Sequence, residues 1–150
     1  MARRNCVVTT EGELALAAAT AKTILQLVAP ANIHLAVRGF SVSFDGVSAT
    51  AEPVQVDLVT QTAAGTMTAA TPVKERIGGA GTIQATAQKN ASVEPTTTDI
   101  LRRYNIHPQT GREIRFGLDD EFVIEGGARL GLRCTAPAIV NVVGHISFEE

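Results

Sequence analysis

Alternation of apolar and polar residues dominates this 150-residue chain, and a period of two marks a strand with one buried face. Ile33, Leu35 and Val37 share one phase; Phe40, Val42 and Phe44 carry the next. The switch from odd to even positions requires one extra residue, so Arg38-Gly39 reads as a β-bulge in which glycine tolerates an unusual backbone. Asp45-Gly46 follows as a turn. The same alternation covers Val54, Val56 and Leu58, then Ile83, Ala85 and Ala87. It returns at Ile114, Phe116 and Leu118, at Leu130, Leu132 and Cys134, and at Val140, Val142, Ile146 and Phe148. Glu125-Gly126-Gly127 and Thr135-Ala136-Pro137 punctuate the end of this series. Short strands separated by such turns predict an all-β antiparallel sandwich or barrel.

Two regions are less regular. Residues 62–82 are rich in Ala, Thr and Gly and end in Gly78-Gly79-Ala80-Gly81, which predicts a long, mobile connection. Residues 89–99 contain Pro95 and Thr96-Thr97-Thr98 and read as a second loop. One segment reads two ways. Leu14, Ala17, Ala18, Ala21, Leu25 and Val28 form a helical stripe, Thr10 and Glu13 have capping-box spacing, and Pro30 would end the helix. Taken locally, helix is the better reading of 13–28. The alternative is a strand over 22–28, with Ile24, Gln26 and Val28 opposite Thr23, Leu25 and Leu27, and 12–20 left open. Residues 1–12 read as an N-terminal arm ahead of a single domain over 13–150.

Composition narrows the function classes. The chain is 45% hydrophobic and 19% charged, with thirteen basic and fifteen acidic residues and a net charge of -2. A chain of this length can bury a core without disulfides or metal. Near-neutrality offers no basic field for nucleic acid and no polybasic membrane patch. No apolar run approaches the ~20 residues that span a bilayer. Met-Ala-Arg-Arg-Asn-Cys is not followed by the apolar segment of a signal peptide, so assembly in the cytoplasm is expected. Two cysteines make no disulfide framework. Cys134 is in phase with Leu130 and Leu132 and reads as a buried thiol. Cys6 falls in the arm, where exposure and an intermolecular disulfide are both open.

The usual chemistries find little support. His34, His107 and His145 lack metal-ligand spacing, and the clustered ligands of a cupin are missing. There is no nucleophile elbow, and Gly78–Gly81 lacks the Gly-Lys-Ser/Thr of a phosphate loop. Asp119-Asp120-Glu121 could contribute to a calcium site, but three acids between strands more often form a solvated turn. Asn90-Ala91-Ser92 is a sequon without a secretory context. The expectation is therefore a protein that is not an enzyme and carries no cofactor. Arg102-Arg103, beside Tyr104, reads equally as an anchoring patch or as an edge strand whose charges prevent aggregation. His145, on the polar face of the last strand with Asn141 and Ser147, reads as a surface or subunit-contact residue.

From Thr20 onward the chain resembles small phage-encoded virion proteins of jelly-roll type, including capsid decoration (cement) proteins. The residues that carry the resemblance are Thr20 to Asn32 (TAKTILQLVAPAN), Phe44 to Val54 (FDGVSATAEPV), Gly126 to Leu132, Thr135-Ala136-Pro137 and Phe148-Glu149-Glu150. It implies a jelly-roll sandwich with an extended N-terminal arm, and it selects strand for 22–28. It also implies a role on the capsid surface of a virion, with the major capsid protein as partner and the chain as a homotrimer, without nucleic acid or membrane. The family has no catalytic residues to transfer. A trimer needs complementary flanks. Arg3, Arg4 and Cys6 in the arm, Arg102, Arg103 and Tyr104, and His145 are the candidate subunit or capsid contacts. The alternative is a carbohydrate- or receptor-binding sandwich module of a phage head, tail or fibre.

Overall fold

Residues 4–150 are described by the computed structural model, and among them lie thirteen strands and no helix; the alternation at Ile83–Ala85 and at Phe116–Leu118 falls outside the strands, in the connections before the strand Thr86–Val93 and after the strand Gly111–Arg115. They form two antiparallel sheets. Sheet one runs β10 (Gly111–Arg115), β4 (Leu35–Phe44), β13 (Val140–Glu149), β1 (Asn5–Thr9), β7 (Val73–Lys74). In the same sheet, β11 (Phe122–Ile124) also pairs with β4 and β2 (Leu14–Leu16) with β13. Sheet two runs β6 (Thr66–Ala70), β8 (Thr86–Val93), β3 (Ala21–Val28), β12 (Arg129–Thr135), β5 (Val54–Gln61), β9 (Thr97–Ile106).

The sheets pack face to face as a sandwich. Phe40, Val42, Ile146, Phe148 and Cys6 of sheet one meet Leu25, Leu27, Val56, Leu58, Leu132 and Cys134 of sheet two, all at 0–1% exposure. Burying each larger aliphatic or aromatic side chain of this kind contributes about 1.5–3 kcal/mol. Along one flank the layers are joined by rings. The Phe40 centroid lies 5.8 Å from that of Tyr104 and 6.3 Å from Phe116, and Phe116 meets Phe122 edge-on at 4.9 Å.

The bulge at Arg38-Gly39 is present. Ser147 pairs with Gly39 and Phe148 with Val37, so Arg38 is the extra residue. Glycine is required here for a close approach: a Cβ on Gly39 would stand 2.4 Å from the Ile114 carbonyl oxygen of β10. The 13–28 segment holds two strands, β2 and β3, and no helix. Ala19, at φ 54°, breaks any helical run after β2, and tertiary pairing of β3 with both β12 and β8 overrides the local helical stripe. A second bulge alters its phase. Leu132 pairs with Leu25 but Arg133 pairs with Thr23, leaving Ile24 as the extra residue. Ile24, Leu25 and Leu27 are fully buried in the core cluster, and a Cβ on Gly144 of the opposite sheet would lie 3.3 Å from Ile24 Cδ1. The expected partition of Ile24, Gln26 and Val28 against Thr23, Leu25 and Leu27 is therefore replaced.

Three segments read as irregular are more ordered. Residues 62–82 contain β6 and β7, which sit at an edge of sheet two and of sheet one respectively. Of 89–99 only 94–96 connects strands, because β8 runs on to Val93 through a register break at Asn90, whose φ is 55°. Of the stretch 1–12, Asn5–Thr9 is extended and built into the sandwich as β1, which lies between β13 and β7. Cys6 and Val8 are completely buried because they alternate with Asn5, Val7 and Thr9 at the edge of the core. Exposure of Cys6 is thus corrected. Burial, reinforced by the negative charge of Glu150, pushes its thiol up to about 11, and the buried sulfur is not placed for an intermolecular disulfide. Arg3 lies outside the described residues.

Candidate docking surfaces

The outer faces of the two sheets differ, and the difference follows from sequence. On sheet two, the bulge at Ile24 turns Thr23 and Gln26 outward, yet both are 0% exposed, as is Val59, and Gln61 is 4% exposed. Two connections lie over this face, 62–65 from β5 to β6 and 94–96 from β8 to β9. The first touches the last residue of β8, just ahead of the second: a Cβ on Gly65 would be 2.4 Å from the Val93 carbonyl oxygen. A chain of hydrogen bonds fastens them down. Arg129 donates to Gln26 Oε1 (3.1 Å), and Gln26 Nε2 donates to Gln61 Oε1 (2.7 Å) and to the Ala63 carbonyl (3.0 Å). Gln61 Nε2 donates to Thr23 Oγ1 (2.9 Å), and Thr23 donates through Oγ1 (2.7 Å) and its backbone N–H (2.6 Å) to the Glu94 carboxylate. Buried polar groups of this kind are tolerated because each is bonded.

Beside this network stands Asp57, with a 1% exposed side chain. Arg103 grips it through Nε (2.8 Å) and Nη2 (3.2 Å), and Arg133 Nη2 adds a bond at 2.9 Å. Burial alone would raise the Asp57 carboxyl, but the hydrogen bonds and charges of the two guanidinium groups outweigh it and hold the group below the usual carboxylate range. Arg103 is thereby a structural partner. Arg102 lies over the Phe122 ring at 5.1 Å, and Tyr104 is half-buried between Phe40 and the Arg112 guanidinium, which stands 5.8 Å from its centroid. The Arg-Arg-Tyr stretch therefore spends its contacts on closing its own flank of the sandwich.

Arg4 is also tied internally. Its Nη1 meets Glu150 Oε1 at 2.5 Å and the Thr82 carbonyl at 2.6 Å, while the Glu150 carboxylate accepts from the backbone N–H groups of Gln84 and Ala85 at 3.0 Å each. Asp119-Asp120-Glu121 does not converge on a point: Glu121 turns toward Arg38 at 3.6 Å. Among the described residues no group of three or more His, Cys, Asp or Glu side chains is placed to hold a metal ion, and no helix is long and apolar enough to cross a membrane.

Among the described residues, the outer face of sheet one carries no such strap. One cross-strand row reads Glu113, Ser41, His145, Thr9 over β10, β4, β13 and β1. Neighbouring rows add Ser43 with Val143 and Ser147 with Val7. Apart from His145 and the edge-strand pair Glu113 and Arg115, these side chains are short, and all are half-buried to exposed, which leaves a broad surface with a shallow depression around Ser41, Ser43 and His145. His145 Nδ1 is hydrogen-bonded to Ser41 Oγ at 2.7 Å, so its ring lies fixed at the centre of the face. Of the candidate contact residues read from sequence, His145 sits on this face, with Ser147 beside it on the same strand.

A second surface, at one end of the sandwich, had no signal in the alternation. The loops 45–53 and 107–110 and the turn 136–139 surround an apolar notch of about 370 Å³ lined by Val47, Ala51, Val54, Pro108, Pro137 and Ile139. Val47 is 91% and Ile139 81% exposed. An apolar residue in a loop carries no periodicity, so only the fold places these two together.

No protein-family model matches the chain, and no curated protein or solved structure is detectably similar to it.

Proposed function

We propose that this protein is a structural component of a phage particle, a decoration protein that binds the outer capsid surface through the major capsid protein and stabilises the shell, working as a trimer. The observation that carries this reading is the open outer face of sheet one. Four adjacent strands spaced by about 4.8 Å offer a platform roughly 14 Å across. Its Ser, Thr and Val side chains have little rotamer freedom to lose on docking, so a large contact forms at low entropic cost. The opposite face is sealed by its own loops, which gives the molecule one side for a flat partner. The resemblance to jelly-roll decoration proteins points to a capsid as that partner, and the two-sheet architecture is consistent with it.

A carbohydrate- or receptor-binding role has less support from the surface. The partly buried rings of Phe116, Phe122 and Tyr104 are engaged with one another or with Phe40, rather than presented for stacking on a sugar.

The test is to purify intact particles from cells that express the protein and count its copies. Co-purification at a stoichiometry matching the capsid lattice is expected. The paired substitutions Ser41→Arg and Ser147→Arg should lower occupancy at least about tenfold, because two long cations then stand in the middle of the contact. Absence from purified particles, or occupancy indifferent to both substitutions, overturns the reading.

A further inference from the structure

The end of the sandwich opposite the notch carries a matching projection. β1 and β7 are antiparallel, so the chain leaves β7 at the level of Asn5, where the Glu75 N–H donates to the Asn5 carbonyl at 3.0 Å. The following loop, 75–85, therefore stands at the end where β13 finishes, whereas the notch stands where β13 begins. Ile77 lies at the tip of this loop and is 98% exposed, the highest value among the exposed large hydrophobic residues. Gly78, at φ 75°, adopts the left-handed conformation that lets the chain reverse directly behind it. The loop is braced from below: Lys74 Nζ donates to the carbonyls of Gly79 and Gly81, and Arg4 Nη1 to that of Thr82. Ile77 is thus a large aliphatic side chain held on a braced, solvent-facing tip, where a second surface can reach it.

Charge and size distinguish the possible occupants of the notch. Among the residues lining it, the one charged side chain is Glu52. Around the Ile77 projection the lining charges are all basic, Arg4, Lys74 and Arg76, with Arg4 already paired to Glu150. Over 74–76 the balance is +1, since Glu75 offsets one of the two cations. An aliphatic tip flanked by Arg76 fits an aliphatic notch edged by Glu52, and a space of about 370 Å³ admits an isoleucine side chain with room for its neighbours.

We propose that Ile77 of one copy seats in the notch of a second copy, between Val47 and Ile139, with Arg76 beside Glu52. The contact is head to tail. Each subunit uses one end as donor and the other as acceptor, so the arrangement closes into a ring where the rotation between copies permits and otherwise continues as a filament. The inference goes beyond the capsid-surface reading, since it concerns contacts between copies and does not depend on the identity of the larger partner.

The test uses the full chain and measures mass by light scattering as a function of concentration. Wild type is expected to form multiples of its 15.7 kDa protomer. Ile77→Asp, which destroys the tip, and the double variant Val47→Asp with Ile139→Asp, which destroys the notch, are each expected to be monomeric. Both sets of side chains are exposed, so the variants should fold, and unchanged circular dichroism verifies it. Mixing the two variants is the decisive step: one intact tip then meets one intact notch, and a 1:1 dimer with nothing larger is expected. Glu52→Arg is expected to weaken association and Arg76→Glu in the same chain to restore it. A wild type that stays monomeric at sub-millimolar concentration, variants that associate like wild type, or a mixture that stays monomeric each overturns the proposal. Particle occupancy, measured separately as above, reports on the capsid reading alone.

Discussion

Asp57 shows how one residue can be both costly and indispensable. Its carboxylate is 1% exposed, and two guanidinium groups, one nearly half exposed and one mostly buried, compensate the loss of water. Replacing one member of such a group leaves the others uncompensated, so Asp57→Asn should destabilise the protein by about 2–4 kcal/mol in urea titration, somewhat below a fully buried triad because Arg103 keeps solvent contact. The pH dependence follows from the direction of its shift. The native carboxyl is held below the value of the unfolded chain, about 3.9, so the native state binds fewer protons. The stabilisation is complete above that value and is lost as pH falls below it, through the lower native value. Thermal melts should show Tm falling below about pH 4 in wild type, with a shallower fall in Asp57→Asn; equal slopes would remove Asp57 as the cause.

At the scale of elements, the strap over sheet two is fastened by a chain of polar bonds. Thr23 is its hinge point, bonded to both Gln61 and Glu94. Thr23→Val keeps the shape but leaves Gln61 Nε2 and the Glu94 carboxylate short of a partner, and should cost about 1–3 kcal/mol. Hydrogen exchange should then quicken at 62–65 and 94–96 before it quickens in β12; uniform acceleration would mean that the strap is not a separate unit. This element also marks the limit of what the sequence discloses. Alternation identified β4, β5, β12 and β13, because their inner faces meet the core with period two. It placed the bulge at Arg38 from a phase switch. It could not place Thr23 and Gln26, because the bulge at Ile24 is forced by β12, a partner more than a hundred residues away, and because two buried faces erase alternation. β6 and β7 escaped notice since one is a short edge strand of Thr, Met and Ala and the other has only two residues, and neither buries more than a side chain. Of the candidate contacts, His145 could be read as outward-facing from its phase. Arg103 could not be assigned to Asp57, since the pairing depends on which strand neighbours β9. The notch residues Val47 and Ile139 sit in loops, where no period exists to reveal them.

At the scale of the whole molecule, the sandwich is assembled from sequence-distant partners. β1 pairs with β13, and β3 with β12. Deleting residues 1–9 would therefore strip an internal strand of sheet one and expose the apolar surface that Cys6 and Val8 cover. The expected outcome is loss of the cooperative melt in circular dichroism; a truncated chain melting within a few degrees of wild type would show that β1 is dispensable. Such non-local pairings must form before any is rewarded, which places folding toward the slow end for a domain of this size.

The pairing of β1 with β13 has a consequence for engineering. Arg4 and Glu150 exchange backbone hydrogen bonds at 2.9 and 3.1 Å, so the two ends of the described chain lie side by side. A short peptide can splice them into a covalent circle without disturbing a strand, and the circle can be cut anew in the exposed turn at 117–121. The permuted polypeptide would keep every sheet neighbour while carrying its free termini, and any fused cargo, in the turn between β10 and β11.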